Sequence, residues 1–178
     1  VKVERKVQQT PGKPKAVVTD VDGTISWVVG LDPMPPYPDA AEDLSWFASQ
    51  GYTIIYLSAK GESYTEAQKE WLRQHDFPEG IVICVNATSL SPAADKLQVL
   101  KQLVENYYIE YGFGNRESDM QAYWGVGIPK LYKVTHPLWW QFEFEEGQQI
   151  PGGVWSIFTG PLSDTLYKLR AIDQGNSS

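Results

Sequence analysis

The chain has 178 residues, 42% of them hydrophobic and 21% charged, and a formal net charge of −7; this composition suits one globular domain with a real core and excludes wholesale disorder. No stretch approaches the roughly 18 apolar residues of a membrane-spanning helix, and the single Cys84 excludes an internal disulfide framework. Lys2, Arg5, Lys6, Lys13 and Lys15 stand against Glu4 in the N-terminal segment, whereas the remainder carries ten basic and twenty-one acidic residues, an acidic body unsuited to non-specific nucleic-acid binding.

Residues 1–15 read as a basic tail or linker and residues 16–172 as a folded domain. A solvated leader is the plain reading of the first segment; contact with an anionic membrane or a phosphorylated partner is the sharper one. Ala16–Thr19 is a short β-rich run that ends directly at acidic residues. Pro38–Gln50 has helical spacing through Ala41, Leu44, Phe47 and Ala48, with Gly51 as its C-cap. Tyr52–Leu57 is a second buried strand, and Ser63–His75 a helix opened by a Ser63/Glu66 capping box. Ile81–Val85 is a third strand, with Cys84 a buried thiol inside it. Pro92–Glu105 is a helix with proline in its first turn, Tyr108–Tyr111 a fourth strand, Ser118–Trp124 a short helix and Leu131–Val134 a fifth strand. Strand and helix in this rhythm predict an α/β three-layer, Rossmann-like parallel sheet. Trp139–Glu145 then alternates with period two, and Val154–Phe158 follows after Pro151-Gly152-Gly153. These predict a small C-terminal β/α extension, hairpin-like and closed by a helix from Pro161 or Ser163 to Arg170.

In open parallel sheets chemistry gathers at the carboxyl ends of the strands, and four predicted ends carry polar residues. Asp20-Val21-Asp22-Gly23-Thr24 follows the first strand. Asp20 is placed to bind a metal and attack phosphorus. Asp22 is placed to protonate a leaving oxygen and then activate water, so that one difficult displacement becomes two easier ones. The bland alternative is an Asp-rich turn capping a strand. Ser58, with Ala59 and Lys60 beside it, ends the second strand and offers a hydroxyl and backbone N–H groups to a phosphoryl oxygen. Lys96, near the start of the third long helix, offers a cation for the transferring group, with Lys101 its competitor. Asn115 and Asp119 follow the fourth strand in Gly112-Phe113-Gly114-Asn115-Arg116, an amide oxygen and a carboxylate of the kind Mg²⁺ prefers.

The order of these motifs resembles the haloacid dehalogenase superfamily from Ala16 to about Val134. Within it the match is most similar to the lipin-type phosphatidate phosphatases and their LNS2 domains, through Asp20-Val21-Asp22-Gly23-Thr24-Ile25, Tyr56-Leu57-Ser58-Ala59-Lys60, Gly112-Phe113-Gly114-Asn115-Arg116 with Asp119, and Tyr123-x-x-Val126-Gly127-Ile128-Pro129. Most superfamily members carry an acid where Asn115 stands, so Asn115 departs from the superfamily pattern and agrees with the lipin one. Lys60 stands where lipins usually carry Arg. The resemblance implies a Mg²⁺-dependent phosphatase with Asp20 as nucleophile and Asp22 as acid/base. Asp20, the Asp22 main-chain carbonyl and Asn115 would bind the metal, and Asp119 would be a further ligand or orient Lys96 and metal-bound water. Ser58 and Lys96 would hold the phosphoryl oxygens, with Gly23, Thr24, Ala59 and Lys60 as further phosphate-binding positions. Phosphatidic acid at a membrane surface is the leading substrate, and a cytoplasmic or peripheral-membrane location goes with it. A phosphatase for soluble or protein-borne phosphate is the runner-up. From a different class stands a phosphatidic-acid-binding regulatory module, since some LNS2 domains of phosphatidylinositol-transfer proteins resemble this fold but lack the catalytic pair; both aspartates are present here.

The intervals from Asp22 to the second strand and from Ser58 to Lys96 are filled by predicted elements and leave no room for a large cap domain. An uncapped site would accept a headgroup at a surface or a phosphate on a macromolecule. His75 ends a helix and His136 stands alone, so neither predicts a metal site. Trp140, Phe142 and Phe144 read first as a buried strand face; with Trp139 and Trp155 they read second as a membrane-interface patch. Trp27, Val28, Val29, Leu31 and Met34 are a candidate acyl contact beside the aspartate pair.

Overall fold

Alternating burial along the strands divides the core in two. Val17 of the first strand points to one face of a sheet, where it meets Leu44, Phe47, Ile54, Tyr56, Leu72, Tyr111 and Phe113. Ala16 and Val18 point to the other, against Ile55, Leu57, Leu100, Ile109, Met120, Tyr123 and Leu131. Runs buried on both faces are what a helix-covered parallel sheet requires. The computed structural model describes residues 5–27, 34–37, 40–86, 92–135 and 155–159.

The elements are β1 (Lys15–Thr19), α1 (Ala40–Ser49), β2 (Thr53–Ser58), a single 3₁₀ turn (Glu62–Tyr64), α2 (Thr65–Gln74), β3 (Ile81–Cys84), α3 (Pro92–Asn106), β4 (Tyr108–Gly114), α4 (Glu117–Gly125), β5 (Lys130–Thr135) and β6 (Trp155–Thr159). The six strands among the described residues are all parallel, in the order β3-β2-β1-β4-β5-β6. Helices α1 and α2 cover one face, and α3 and α4 the other. The expected three-layer α/β sheet is therefore the observed one. Strand order reverses between β1 and β4, and ligands bind at such switch points.

Three local expectations are corrected. Ser63 does not cap α2: a 3₁₀ turn precedes the helix, Tyr64 is its N-cap, and no side chain caps it. Thr65 Oγ1 instead donates to the Glu62 carbonyl at 2.8 Å, closing the 3₁₀ turn and competing with the capping box. β4 runs on to Gly114, past the expected end at Tyr111, because Gly112 and Gly114 continue the pairing with β1 and β5 despite their poor strand propensity. The run read as part of a hairpin-like addition supplies β6, which extends the main sheet parallel to β5. A parallel neighbour needs a long crossover rather than a tight turn. The expectations for Trp139–Glu145 and for the closing helix fall outside the described residues.

The described part of the basic segment is held against the domain. Lys6 N–H donates to the Gly125 carbonyl, and the Gln8 side chain donates to the Ile109 and Gly127 carbonyls while accepting from Ile109 N–H. Gly127 has φ +83° and lies so close to the Lys6 carbonyl that a side chain there would collide with it. Arg5 stacks over Trp124, and Lys13 Nζ donates to the Val104 carbonyl. The register shift in the β1–β4 ladder falls at Glu110, whose carboxylate accepts from Tyr52 Oη at 2.6 Å and pairs with Lys130 and Lys15.

Candidate active site

The site begins where β1 stops. Asp20 N–H still donates to the Phe113 carbonyl of β4 at 2.9 Å, so its backbone is pinned to the neighbouring strand while its side chain leaves the carboxyl end of the sheet. The chain then turns back sharply: Thr24, Ile25 and Ser26 all donate N–H to the Val21 carbonyl, and Gly23 N–H donates to Ser26. Gly23 adopts φ +79° at this turn, a conformation that costs a side-chain-bearing residue about 1 kcal/mol or more. Ser26 and Pro36 form an isolated antiparallel bridge that ties the excursion together.

Behind Asp20 stands a buried charge bridge. Lys96 Nζ, in the first turns of α3, donates to Asp20 Oδ1 at 3.2 Å and to Asp119 Oδ1 at 2.6 Å. All three side chains are nearly excluded from solvent, at 6%, 9% and 2% exposure or less. Burial disfavours the lysine cation, but the two carboxylates outweigh it and hold Lys96 above its ordinary pKa. Burial, and then the Asp119 charge, push Asp20 up to about 7, with Lys96 pulling the other way. The second oxygen of Asp119 accepts from Arg116 N–H at 3.2 Å. This side of the capping box opens α4 and fixes the carboxylate. Gly114 makes room for it, since a Cβ there would lie 2.6 Å from the Asp119 Cβ.

On the other side of Asp20 lies Asn115. One end of its amide sits 2.9 Å from Asp20 Oδ2 and 3.3 Å from the Asp22 main-chain oxygen; as an NH₂ it donates to both. A half-turn of the amide points its oxygen at the same two oxygens. Such a three-oxygen convergence is stable only around a cation, and a carboxylate, a carbonyl and an amide oxygen are the ligand types Mg²⁺ takes. The donor set therefore fits a hard divalent ion, with Asp20 Oδ2 on the metal side and Oδ1 on the lysine side. Among the described residues no group of three or more His, Cys, Asp or Glu assembles a different metal cluster.

Asp22 projects outward and is 36% exposed. Lys60 Nζ reaches its Oδ1 at 3.0 Å and Gln68 Oε1 at 3.3 Å; Lys60 thus stands beside Asp22, away from the Lys96 bridge. Ser58 ends β2 fully buried, its Oγ 3.5 Å from Cys84 Sγ. Ala59 follows, exposed. Thr24 is buried in the turn, and its Oγ1 has no hydrogen-bond partner among the described residues. Between the two lysines weighed for the site, Lys96 is the one that reaches the carboxylates.

Two neighbours, Lys133 and Tyr123, were not among the predicted site residues. Lys133 of β5, almost fully buried, lies in register with Gly114 and approaches Glu117 at 3.4 Å. Burial lowers its pKa, with Glu117 and then Asp119 opposing. Tyr123 donates from its buried hydroxyl to the Phe113 carbonyl at 3.0 Å, buttressing the strand that positions Asn115. The available hints were a lysine within the apolar run Leu131–Val134 and the place of Tyr123 in the motif Tyr123-x-x-Val126-Gly127-Ile128-Pro129.

Comparison with known proteins settles the family. A family model described as "PITM 1-3, LNS2 domain" matches residues 17–134. The chain belongs to this LNS2 family. Protein retinal degeneration B of Drosophila melanogaster is 28% identical over 123 residues, covering 66% of this chain and 10% of that protein. Membrane-associated phosphatidylinositol transfer protein 3 of Homo sapiens is 25% identical over 134 residues, 71% of this chain and 14% of that protein. The LNS2 chain thus spans about a tenth to a seventh of these relatives. Among solved structures, a D,D-heptose 1.7-bisphosphate phosphatase from B. bronchiseptica, complexed with magnesium and phosphate, superposes with TM-score 0.64 at 12% identity over 88% of this chain and 98% of that one. A putative HAD-like phosphatase from Mesorhizobium loti gives 0.59 at 17% identity, covering 96% and 90%. LNS2 domains have the haloacid dehalogenase fold, so the resemblance read from the motifs holds at both levels. The relatives include a membrane-associated phosphatidylinositol transfer protein, so the lipin-like activity is a matter for the function proposed below. No helix among the described residues is long and apolar enough to cross a membrane.

Proposed function

We propose that this LNS2 domain hydrolyses phosphate monoesters with Mg²⁺, phosphatidic acid foremost, through a phosphoryl group carried on Asp20. The observation that carries the reading is the division of Asp20: Oδ2 shares a point of convergence with Asn115 and the Asp22 carbonyl, while Oδ1 faces Lys96. A bound divalent ion would be held by those three groups and would neutralise charge on the phosphoryl oxygens.

Asp20 Oδ1 attacks phosphorus, forming an O–P bond as the bond to the alcohol oxygen breaks. Asp22 gives that oxygen its proton, so the alcohol leaves neutral. Asp22, now a carboxylate, takes a proton from water, whose oxygen attacks phosphorus and breaks the bond to Asp20. Inorganic phosphate departs and both aspartates return to their first state. Lys96 holds Oδ1 in line, and Asp119, both of whose oxygens already accept hydrogen bonds, fixes Lys96 rather than binding the ion directly.

The lipid preference is supported by the family, whose relatives include membrane-associated phosphatidylinositol transfer proteins, and by the exposure of Asp22. A second reading, a phosphatidate-binding regulatory module, is favoured by that same branch of relatives. Phosphate release from phosphatidate vesicles and from soluble sugar phosphates, with Mg²⁺ or a chelator, separates the readings. Mg²⁺-dependent release, faster from vesicles and absent in Asp20→Asn, is expected. Binding to the vesicles without any release of phosphate would leave the regulatory module standing and remove the hydrolase.

A further inference from the structure

The roles of Asp20 and Asp22 locate the phosphorus but not the rest of the substrate. Between the turn after β1 and helix α2 lies a cleft of 590 Å³, and Asp22 forms part of its wall. If Asp22 protonates the leaving oxygen, the alcohol bonded to that oxygen must start from Asp22's side, where this cleft opens.

The lining has a definite chemistry. Trp71, Met34 and Ala67 give it an apolar wall. The Trp71 ring is fixed, its indole N–H donating to the Met34 carbonyl at 2.8 Å and its plane stacked on Phe77 at 5.3 Å. The charged residues of the lining are Asp22, Lys60 and Glu70, and each has a partner: Asp22 pairs with Lys60 and Glu70 with Arg73. The cation is already committed, with Lys60 held between Asp22 and the buried amide of Gln68. Arg73, which pairs with Glu70, is not part of the wall.

We propose that this cleft receives the leaving group, and that it selects phosphate esters of neutral, partly apolar alcohols over esters whose alcohol carries a further negative charge. The proposal rests on Asp22 acting as the proton donor. An anionic substituent entering the cleft meets an apolar wall and charged groups that are already paired, so it loses hydration and finds no free counter-charge among the described lining residues. The low end of the cost of burying a polar group without a partner corresponds to about fivefold in affinity. Diacylglycerol is one alcohol of the favoured class; a simple aromatic alcohol is another, and it serves as a probe free of any membrane.

The test uses the full chain carrying Asp20→Asn, with Mg²⁺, titrated calorimetrically with phenyl phosphate, with 4-carboxyphenyl phosphate of nearly the same shape, and with inorganic phosphate. Phenyl phosphate is expected to bind about fivefold tighter than its carboxylated twin, and tighter than inorganic phosphate. Ala67 and Glu70 are exposed on α2, so adding Ala67→Lys or Glu70→Lys leaves the fold in place and should abolish or reverse the charge preference. Ala67→Trp should remove the advantage of phenyl phosphate over inorganic phosphate. Equal affinities for the two esters, no binding of either, or a preference that both lysine substitutions leave untouched would overturn the proposal. Turnover by the unmodified chain separates the two claims. Hydrolysis without charge preference removes the cleft and keeps the hydrolase, whereas charge-selective binding without hydrolysis keeps the cleft and removes the hydrolase.

Discussion

Replacing Lys96 by methionine removes a cation from between two buried carboxylates and keeps most of the side-chain volume. The two legs of the bridge, 3.2 and 2.6 Å, place Asp20 and Asp119 no more than about 6 Å apart, where two like charges repel by about 3 kcal/mol at an effective dielectric of about 20. Breaking a buried pair by deleting one partner typically costs about 3–5 kcal/mol, so the two estimates agree. For a domain of this size that loss lowers the melting temperature by roughly 6–20 °C. The sign with pH follows from the same charges. The cost is largest where both carboxylates are ionised and shrinks as acid neutralises either one. Added Mg²⁺ should restore more stability to Lys96→Met than it adds to the parent, because the ion then relieves a repulsion the lysine no longer screens. Scanning calorimetry of both proteins, with and without Mg²⁺ at about pH 9, where both carboxylates are ionised, and at mildly acidic pH, reads all three effects. A variant that melts with the parent at the alkaline pH would refute the charge bridge as drawn.

Other consequences are smaller or more local. Gly114→Ala should cost about 1–3 kcal/mol in denaturant unfolding and impair turnover together, since the new Cβ meets Asp119 at 2.6 Å. Gly127→Ala should expel residues 5–8 from their seat on Gly125 and Ile109, seen as faster amide exchange at Lys6 and Ile109 with the central strands still protected. Glu110 is half-buried: burial opposes its charge, but Tyr52, Lys130 and Lys15 prevail and depress its pKa. Its contribution is therefore present above the ordinary carboxylate range and lost as pH falls below it. Glu110→Gln should thus lose stability relative to the parent near neutrality, with the gap closing toward pH 3 in chemical denaturation.

The sheet was legible because burial on both faces leaves a simple trace. The runs at Ala16, Tyr52 and Ile81 are continuous apolar segments bounded by turns, and each forms a parallel strand. The motif order placed Asp20, Asn115, Lys96 and Asp119 at one end of that sheet, and they do meet there. What stayed hidden depends on tertiary neighbours. Lys60 pairs with Asp22 because α2 supplies Gln68 to hold it, a contact with no local signature. Lys133 enters the site neighbourhood only because β5 lies beside β4. β6 could not be placed because a short apolar run does not encode which edge it joins or in which direction.

The most direct measurement follows the phosphoryl group itself. Asp22→Asn should still accept a phosphoryl group from 4-nitrophenyl phosphate, whose leaving group needs no proton, but should release it slowly for want of a base. Rapid quench with Mg²⁺ is then expected to show a burst of one nitrophenol per chain and the mass of one phosphoryl group on the peptide containing Asp20. Steady release with no burst, or a phosphoryl group located on any other residue, would contradict the account.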